Sequence, residues 1–201
     1  MDADAWDARY AESPQWSATP NDLVAAELGA LSPGTAVDLA AGEGRHAIWL
    51  AEHGWAVTAV DFAEAGLARG RRAAEDRGVQ VTWEVADVVT WRPHEPVDLV
   101  LLAYLHLVAE ERRRVHRTAV ESLAPGGTFL LVGHDASNIA EGVGGPQDPT
   151  VLCTAEDVLA DVAGLPFHPQ RAERVARTVV VDGVERTAYD VVVRGQRPSG
   201  S

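Results

Sequence analysis

The sequence predicts an α/β fold in which a mostly parallel sheet ends in an antiparallel hairpin. Through the middle of the chain, short β-branched or aliphatic runs alternate with longer helical patterns, which is typical of repeated βαβ units. Near the end, two valine-rich runs are joined by Asp182 and Gly183, and an Asp-Gly pair between such runs is a strong hairpin signal. The 201 residues are enough for one domain with a sizeable core.

The alternating region is expected to contain five strands and four helices. The strands are predicted at residues 36–39, 56–60, 80–85, 98–102 and 128–132. The helices are predicted at residues 22–31, 45–53, 64–77 and 110–123. Asn21 is a good N-cap for the first helix, and Gly54, Gly78 and Pro125 are stop signals behind the other three.

The rest of the chain is interpreted from shorter patterns. Thr154 and Asp157 have the spacing of a capping box, which predicts a last short helix. The hairpin strands are predicted at residues 174–181 and 184–194, and the glycine-rich stretch 141–149 is expected to be a loop. We therefore expect one domain over residues 1–195, in which residues 1–20 form a lid segment, and a disordered tail over residues 196–201.

Composition excludes several kinds of chemistry. All 17 basic residues are arginines, so neither a Schiff-base lysine nor the lysine of a P-loop is available. Cys153 is the only cysteine, which excludes intrachain disulfides, cysteine zinc sites and iron–sulfur clusters. Residues 1–5 are acidic and carry no apolar h-region, and no later stretch reaches the roughly 20 apolar residues of a membrane span. A cytoplasmic location and no membrane partner are expected.

Charge argues against another class of partner. The formal net charge is −13, which repels the phosphate backbone over the several contacts that nucleic-acid binding requires. The sequence therefore predicts no nucleic-acid partner, and the arginines at residues 112–114 are expected to lie on a solvated helix face.

A glycine-rich turn follows the first predicted strand. The run Val37-Asp38-Leu39-Ala40-Ala41-Gly42-Glu43-Gly44 passes from a buried strand into a helix, which is where open α/β sheets bind nucleotides. Gly42 and Gly44 allow a sharp turn and a close approach of the backbone to a ligand. The run from Gly42 to Ala47 also fits the GxGxxA form of a dinucleotide-binding loop, so two cofactor classes have to be distinguished.

Acidic side chains favour a cationic cofactor at this turn. A dinucleotide would bring its pyrophosphate close to Asp38 and Glu43, whose like charges would repel it. S-adenosylmethionine carries an ammonium and a sulfonium and no phosphate, so it suits these carboxylates. Asp61 ends the second predicted strand and could accept hydrogen bonds from ribose hydroxyls, and Asp87 follows the third and could reach the adenine amine.

Several ordered motifs make the chain resemble the class I S-adenosylmethionine-dependent methyltransferases. The motifs are the glycine-rich run, Val60-Asp61-Phe62, Ala86-Asp87-Val88, Val97-Asp98-Leu99-Val100 and Leu123-Ala124-Pro125-Gly126-Gly127-Thr128. The resemblance implies a Rossmann-like, doubly wound, seven-stranded sheet whose last strand is antiparallel. Ala40 stands where the family usually has its first glycine. The opening residues around Trp6 and Trp16 are similar to small-molecule methyltransferases of the tellurite-resistance and thiopurine type.

The resemblance also implies a set of cofactor contacts. Two of them, Tyr10 and Trp16, belong to the segment that could close over the cofactor and exclude water. The alternative is a purely structural role, in which an N-terminal helix docks Trp6 and Tyr10 into a small satellite core. The full set of expected cofactor-binding residues is Tyr10, Trp16, Asp38, Ala40, Gly42, Gly44, Arg45, Asp61, Phe62, Asp87, Val88, Ala103 and His106.

Methyl transfer needs alignment more than it needs reactive side chains. The methyl carbon is already activated by the sulfonium, and alignment alone can supply about 7–11 kcal/mol of the barrier. A general base is required only when the acceptor carries a proton at neutral pH. His106 and His134 follow the fourth and fifth predicted strands and are the catalytic candidates. Catechol-type enzymes place a magnesium-binding Asp where this chain has Ala103, so no metal is expected.

The sequence therefore predicts an S-adenosylmethionine-dependent methyltransferase that acts on a small-molecule nucleophile and releases S-adenosyl-L-homocysteine. Two alternatives stay open at this point. One is a Rossmann oxidoreductase that uses NAD or NADP, and the other is a protein that binds S-adenosylmethionine without catalysing a reaction. The loop at residues 141–149 is expected to form part of the acceptor pocket, with Gln147 and Asp148 as polar candidates.

Overall fold

A single twisted sheet organises the computed structural model, which describes residues 3–13 and 17–200. Seven strands occur in this part of the chain, in the spatial order β3-β2-β1-β4-β5-β7-β6. They are β1 Thr35–Leu39, β2 Ala56–Asp61, β3 Thr82–Val85, β4 Val97–Ala103, β5 Leu123–His134, β6 His168–Val181 and β7 Val184–Gln196. Neighbouring strands from β3 to β5 are parallel, and β7 runs antiparallel to β5 and β6. The predicted α/β class and the antiparallel end are confirmed.

Helices cover both faces of the sheet. They are α1 Ala3–Glu12, α2 Asp22–Leu28, α3 Arg45–Glu52, α4 Glu64–Asp76, α5 Ala109–Glu121, α6 Asn138–Glu141 and α7 Ala155–Asp161. Because successive side chains along a strand point to opposite faces, the sheet contributes side chains to two separate cores, one on each face. Leu99 and Leu101 pack in the core with α2 and α3, whereas Val100 and Phe129 pack in the core with α5 and α7. The doubly wound arrangement is therefore observed.

The ends of several elements differ from the sequence prediction. Strand β6 begins at His168 rather than at residue 174. The prediction missed its first residues because they are mostly polar and exposed and carry no apolar alternation. Strand β7 includes Gln196, and Arg197 exchanges backbone hydrogen bonds with Gly126 and Gly127 at 2.9 and 3.0 Å. The segment expected to be a disordered tail is therefore paired, at its start, with the beginning of β5.

The hairpin and the last helix form as their sequences predict. Asp182 and Gly183 have φ values of 52° and 75°, as a two-residue turn of type I′ requires. Thr154 accepts a hydrogen bond from the Asp157 amide while the Asp157 side chain accepts one from the Thr154 amide. This reciprocal capping box begins α7.

The connection between β3 and β4 contains no helix. Residues 88–90 form a turn and the rest of residues 86–96 is irregular apart from a bend. Trp91 lies in this connection, and its indole Nε1 donates to Glu84 at 2.6 Å. A groove of about 920 Å³ remains beside this connection, lined partly by Thr35, Ala56 and Thr82. These residues begin three parallel strands, so the groove opens at the edge of the sheet opposite the glycine-rich turn.

Candidate active site

The glycine-rich turn is built from left-handed backbone conformations. Ala40, Gly42 and Gly44 have φ values of 60°, 56° and 72°. A Cβ on Gly44 would lie 2.4 Å from the Trp83 ring, so both conformation and space require glycine there. Ala40 adopts the same region with a side chain, at a cost of about 1–2 kcal/mol. The turn therefore keeps the shape of the usual motif although its first glycine is replaced.

Asp38 lies at the base of this turn and is almost completely buried, with 1% of its surface exposed. Burial raises the pKa of its carboxyl to about 7, although a hydrogen bond from the Ala47 amide and the charge of Arg45 act in the opposite direction. Oδ2 has no hydrogen-bond partner among the described residues. Buried polar atoms normally have partners, so this oxygen is suited to meet a donor or cation supplied by a ligand.

Asp61 connects the glycine-rich turn to the end of β2. Its Oδ2 accepts a hydrogen bond from the Gly42 amide and its Oδ1 accepts one from the Ala63 amide, both at 2.8 Å. Burial raises the pKa of this carboxyl, and the two amide hydrogen bonds oppose the rise. Each oxygen keeps a lone pair that a ribose hydroxyl could use. The sequence did not reveal that Asp61 also holds the turn in place.

The other predicted cofactor residues lie along the same edge of the sheet. Asp87 is exposed and its Oδ1 accepts a hydrogen bond from the Val89 amide at 2.9 Å, while Val88 is buried in the core. Phe62 is half-buried directly after β2, and Ala103 is the last residue of β4. Because the carboxyl ends of parallel strands meet at one edge of a sheet, these residues lie at the same edge as the glycine-rich turn.

Helix α1 packs against the start of α4 beside the turn. The Asp7 carboxylate accepts a hydrogen bond from the Ala65 amide at 2.8 Å and thereby caps α4. Tyr10 is buried, and a Cβ built on Gly66 would lie 3.1 Å from both the Tyr10 ring and the Gly42 carbonyl. Tyr10 therefore docks α1 and also reaches the edge of the turn.

The beginning of α3 also faces the segment that leads from α1 to α2. Arg45 is the first residue of α3 and donates a hydrogen bond to Ser17 Oγ at 3.3 Å. Trp16, the other predicted lid residue, lies outside the described residues.

The ends of β4 and β5 carry an aromatic cluster. Tyr104 follows β4 with a φ of 61°, a strained conformation of the kind that clusters at functional sites. The His106 and His134 rings are stacked with centroids 5.4 Å apart, and the Tyr104 and His134 rings meet edge-on with centroids 5.0 Å apart. The structure thus brings the two predicted catalytic histidines together.

His106 is held by the backbone around it. Its Nε2 accepts a hydrogen bond from the His134 amide at 3.4 Å. Burial and the neighbouring His134 lower the pKa of His106 to about 4, although Asp190 and a hydrogen bond with the Tyr104 backbone act in the opposite direction. His106 is therefore a neutral imidazole at physiological pH.

Asp190 was not singled out from the sequence, yet it lies at the centre of the cluster. It is fully buried in β7, and its Oδ2 accepts hydrogen bonds from the Tyr104 hydroxyl and Arg177 Nε, both at 2.8 Å. Burial alone would raise the pKa of Asp190, but the neighbouring His134 and the hydrogen bonds from Arg177 and Tyr104 lower it overall. A lone aspartate directly before the run Val191-Val192-Val193 was the available signal.

The loop predicted at residues 141–149 lies against the same cluster. A Cβ on Gly145 would be 2.6 Å from the His134 ring, so the bare backbone of this glycine covers one face of the ring. Gln147 donates to loop carbonyls and Asp148 accepts from Thr150. Their side chains therefore stabilise the loop itself. No metal-binding group of three or more His, Cys, Asp or Glu occurs in the described part of the chain.

Comparison with known protein families finds a match in the central part of the chain. A family model described as a methyltransferase domain matches residues 36–127, which run from β1 to the beginning of β5. This part of the chain is similar to a methyltransferase domain. Within the described residues, none of the helices is long and apolar enough to cross a membrane.

Known relatives agree with this match. The tRNA 5-carboxymethoxyuridine methyltransferase of Escherichia coli K12 is 34% identical over 123 residues, which are 59% of this chain and 46% of that protein. The chain thus spans about half the length of the curated relatives that it matches.

Solved structures show the same fold. The N-methyltransferase NodS from Bradyrhizobium japonicum, in complex with S-adenosyl-L-homocysteine, superposes with a TM-score of 0.74 at 17% identity, over 98% of each chain. TehB from Haemophilus influenzae gives a TM-score of 0.75 at 15% identity, over 96% of this chain and 67% of that one. The chain has the Rossmann-like methyltransferase fold.

Proposed function

We propose that the protein is an S-adenosylmethionine-dependent methyltransferase that methylates a small-molecule nucleophile without a metal ion. The observation that carries the proposal is the buried, unpartnered Oδ2 of Asp38 at the base of the glycine-rich turn. A second carboxylate, Asp61, lies at the same turn, where its Oδ2 accepts a hydrogen bond from the Gly42 amide. Two buried carboxylates suit a cationic nucleoside and disfavour a pyrophosphate, and the methyltransferase-domain match covers both of them.

The proposed cofactor site uses the residues expected from the sequence. S-adenosylmethionine would supply an activated methyl group there. Asp38 would face its cationic end, Asp61 its ribose and Asp87 its adenine. The other residues proposed to contact it are Tyr10, Trp16, Ala40, Gly42, Gly44, Arg45, Phe62, Val88, Ala103 and His106. His106 and His134 are the proposed catalytic residues, since both lie where the acceptor side of the crevice would be.

The charge of the chain favours a small acceptor. The chain has seventeen arginines and thirty acidic residues. Many described arginines already pair with carboxylates, among them Arg112, Arg171, Arg177 and Arg194. A phosphate backbone therefore meets little unopposed positive charge. A nucleic-acid acceptor is the second candidate, because the relative that shares 34% identity is named as a tRNA methyltransferase.

A thermal-shift comparison tests the cofactor. S-adenosyl-L-homocysteine at 100 times its Kd should stabilise the protein by about 2.7 kcal/mol, which corresponds to a rise of roughly 5–10 °C in Tm for a chain of this size. NAD and NADP should give no shift, and Asp38→Asn should reduce the response to S-adenosyl-L-homocysteine. Stabilisation by NAD or NADP instead would overturn the proposal and favour an oxidoreductase.

A screen of acceptors tests the activity itself. Thiols, selenite, tellurite, phenols, carboxylates and amines should be offered with S-adenosylmethionine while release of S-adenosyl-L-homocysteine is followed. We expect turnover with at least one class. Tight binding of S-adenosyl-L-homocysteine without turnover on any acceptor would instead indicate a non-catalytic binding protein.

A further inference from the structure

The two histidines of the aromatic cluster differ in which ring nitrogens are available. His106 Nε2 accepts the His134 amide, and the ring also hydrogen-bonds with the Tyr104 backbone. These contacts tie His106 to the backbone, and its Nε2 is already occupied. His134 differs, because no described residue forms a hydrogen bond with its Nε2 and 16% of its side chain is exposed. His134 Nε2 is therefore the ring nitrogen left for an acceptor.

The other nitrogen of His134 faces a carboxylate. His134 Nδ1 lies 3.4 Å from Asp190 Oδ1, a distance for an ion pair, although the alignment falls short of a hydrogen bond and Nδ1 has no other partner among the described residues. The two residues are direct neighbours in the antiparallel β5–β7 pairing. A small rotation of the ring would complete the contact and place the imidazole proton on Nδ1.

Asp190 keeps its negative charge despite complete burial. The Arg177 guanidinium and the Tyr104 hydroxyl both donate to it at 2.8 Å. Tyr104 in turn accepts a hydrogen bond from Asn21 Nδ2 at 2.9 Å, so α2, β4, β6 and β7 all fix this carboxylate. The charged or titratable groups around His134 are therefore Asp190 and Arg177 from the hairpin, and Tyr104 and His106 from the segment after β4.

We infer that His134 is the general base for methyl transfer and that Asp190 is its positioning residue. The inference rests on the proposed methyltransferase function and narrows the acceptor to molecules that enter with a proton on the nucleophilic atom, such as alcohols and phenols. A carboxylate acceptor, already ionised at neutral pH, would need no base.

The proposed step balances as follows. The acceptor O–H proton moves to His134 Nε2, and the acceptor oxygen uses its electron pair to bond the methyl carbon. The bond from that carbon to sulfur breaks and sulfur keeps the electron pair, so neutral S-adenosyl-L-homocysteine and a methyl ether leave. The imidazolium formed at His134 is stabilised by the Asp190 carboxylate until the proton passes to solvent.

The tautomer of His134 can be tested on the protein without any cofactor. Imidazole ¹⁵N NMR of the wild-type chain, assigned with His134→Gln, should show neutral His134 with its proton on Nδ1. Asp190→Asn should move the neutral proton of His134 toward Nε2, because the carboxylate that holds this proton on Nδ1 is lost. His168, exposed on β6, serves as the internal reference, and its ring ¹⁵N signals should be the same in both proteins.

Either of two results would overturn the assignment of Asp190. One is a wild-type His134 that carries its neutral proton on Nε2, and the other is an unchanged His134 tautomer in a folded Asp190→Asn protein. The wild-type measurement needs no variant, so the test stands even if Asp190→Asn does not fold.

Activity measurements separate this inference from the broader proposal. With an alcohol or phenol acceptor, His134→Gln should lower kcat by about 100-fold or more and abolish the rise of kcat with pH, while binding of S-adenosyl-L-homocysteine stays within about threefold. His168→Gln is the matched control and should keep both properties. Normal cofactor binding with turnover restricted to carboxylates would refute the base while the methyltransferase proposal survived. Absence of cofactor binding in the wild type would refute the methyltransferase proposal.

Discussion

At the scale of single residues, Asp38 combines burial with a charge that changes near neutral pH. Its pKa is raised to about 7 in the folded chain, above the ordinary value of about 3.9 in the unfolded chain. Between these values the folded state binds more protons, so Asp38 makes the protein less stable as pH rises from about 4 to 7. This cost remains while the carboxylate has no cationic partner.

Binding of S-adenosyl-L-homocysteine should depend on pH through Asp38. The ammonium of the ligand favours the ionised carboxylate, so affinity should be about tenfold weaker at pH 6 than at pH 8 for a group with a pKa near 7. Isothermal titration calorimetry at pH 6, 7 and 8 measures the change. In Asp38→Asn the affinity should be weaker and nearly independent of pH. A flat profile in the wild type would show that Asp38 does not meet the ligand's charge.

At the scale of elements, α5 and α7 are joined by a buried ionic cluster. Asp161 is 1% exposed at the end of α7, and it accepts hydrogen bonds from Arg112 Nε at 2.8 Å and from His116 Nδ1 at 3.1 Å. Burial would raise the pKa of Asp161, but these partners lower it to about 2. Arg112 was expected on a solvated face, and this expectation is wrong because the side chain turns inward toward Asp161.

Two neighbouring arginines offer a matched comparison of this cluster. Arg112→Ala should cost about 3 kcal/mol of unfolding free energy, because it leaves a buried carboxylate short of a partner. Arg113 also contacts Asp161, at 3.4 Å, but its side chain is 64% exposed, so Arg113→Ala should cost less than about 1 kcal/mol. Urea unfolding followed by circular dichroism gives both values. Equal losses of unfolding free energy in the two variants would contradict the expectation that the buried Arg112–Asp161 pair contributes more to stability.

The pH dependence of this cluster has the opposite sign to that of Asp38. The pKa of Asp161 is lower in the folded chain than in the unfolded chain. Its stabilising contribution is therefore complete above about pH 4 and is lost as pH falls from about 4 to 2. Acid unfolding of Arg112→Ala should accordingly begin at a higher pH than that of the wild type.

At the scale of the whole molecule, the negative charge should exclude polyanions. We expect no saturable binding of unmodified tRNA below about 100 μM at low salt, since that is the weak end of non-specific nucleic-acid affinity. Fluorescence anisotropy with labelled tRNA in 50 and 200 mM salt tests this expectation. Micromolar binding that weakens steeply with salt would favour a tRNA acceptor over a small molecule.

Local patterns predicted the fold better than the site. Alternation of strands and helices located β1 to β5, and the Asp-Gly pair located the final turn, because these features depend on neighbours in sequence. The polar first part of β6 was missed, since edge strands lack apolar alternation. Asp190 and Arg177 were missed because they reach the ends of β4 and β5 through strand pairing, which no spacing in the sequence reveals.

The hairpin of β6 and β7 also determines when certain contacts can form during synthesis of the chain. Arg171 and Arg194 pair with Glu27 of α2, while Arg177 and Asp190 belong to the aromatic cluster. A nascent chain that has released β1 to β5 already contains the glycine-rich turn and both histidines. It still lacks Asp190, so the proposed pair of His134 and Asp190 can form only after the hairpin has been synthesised.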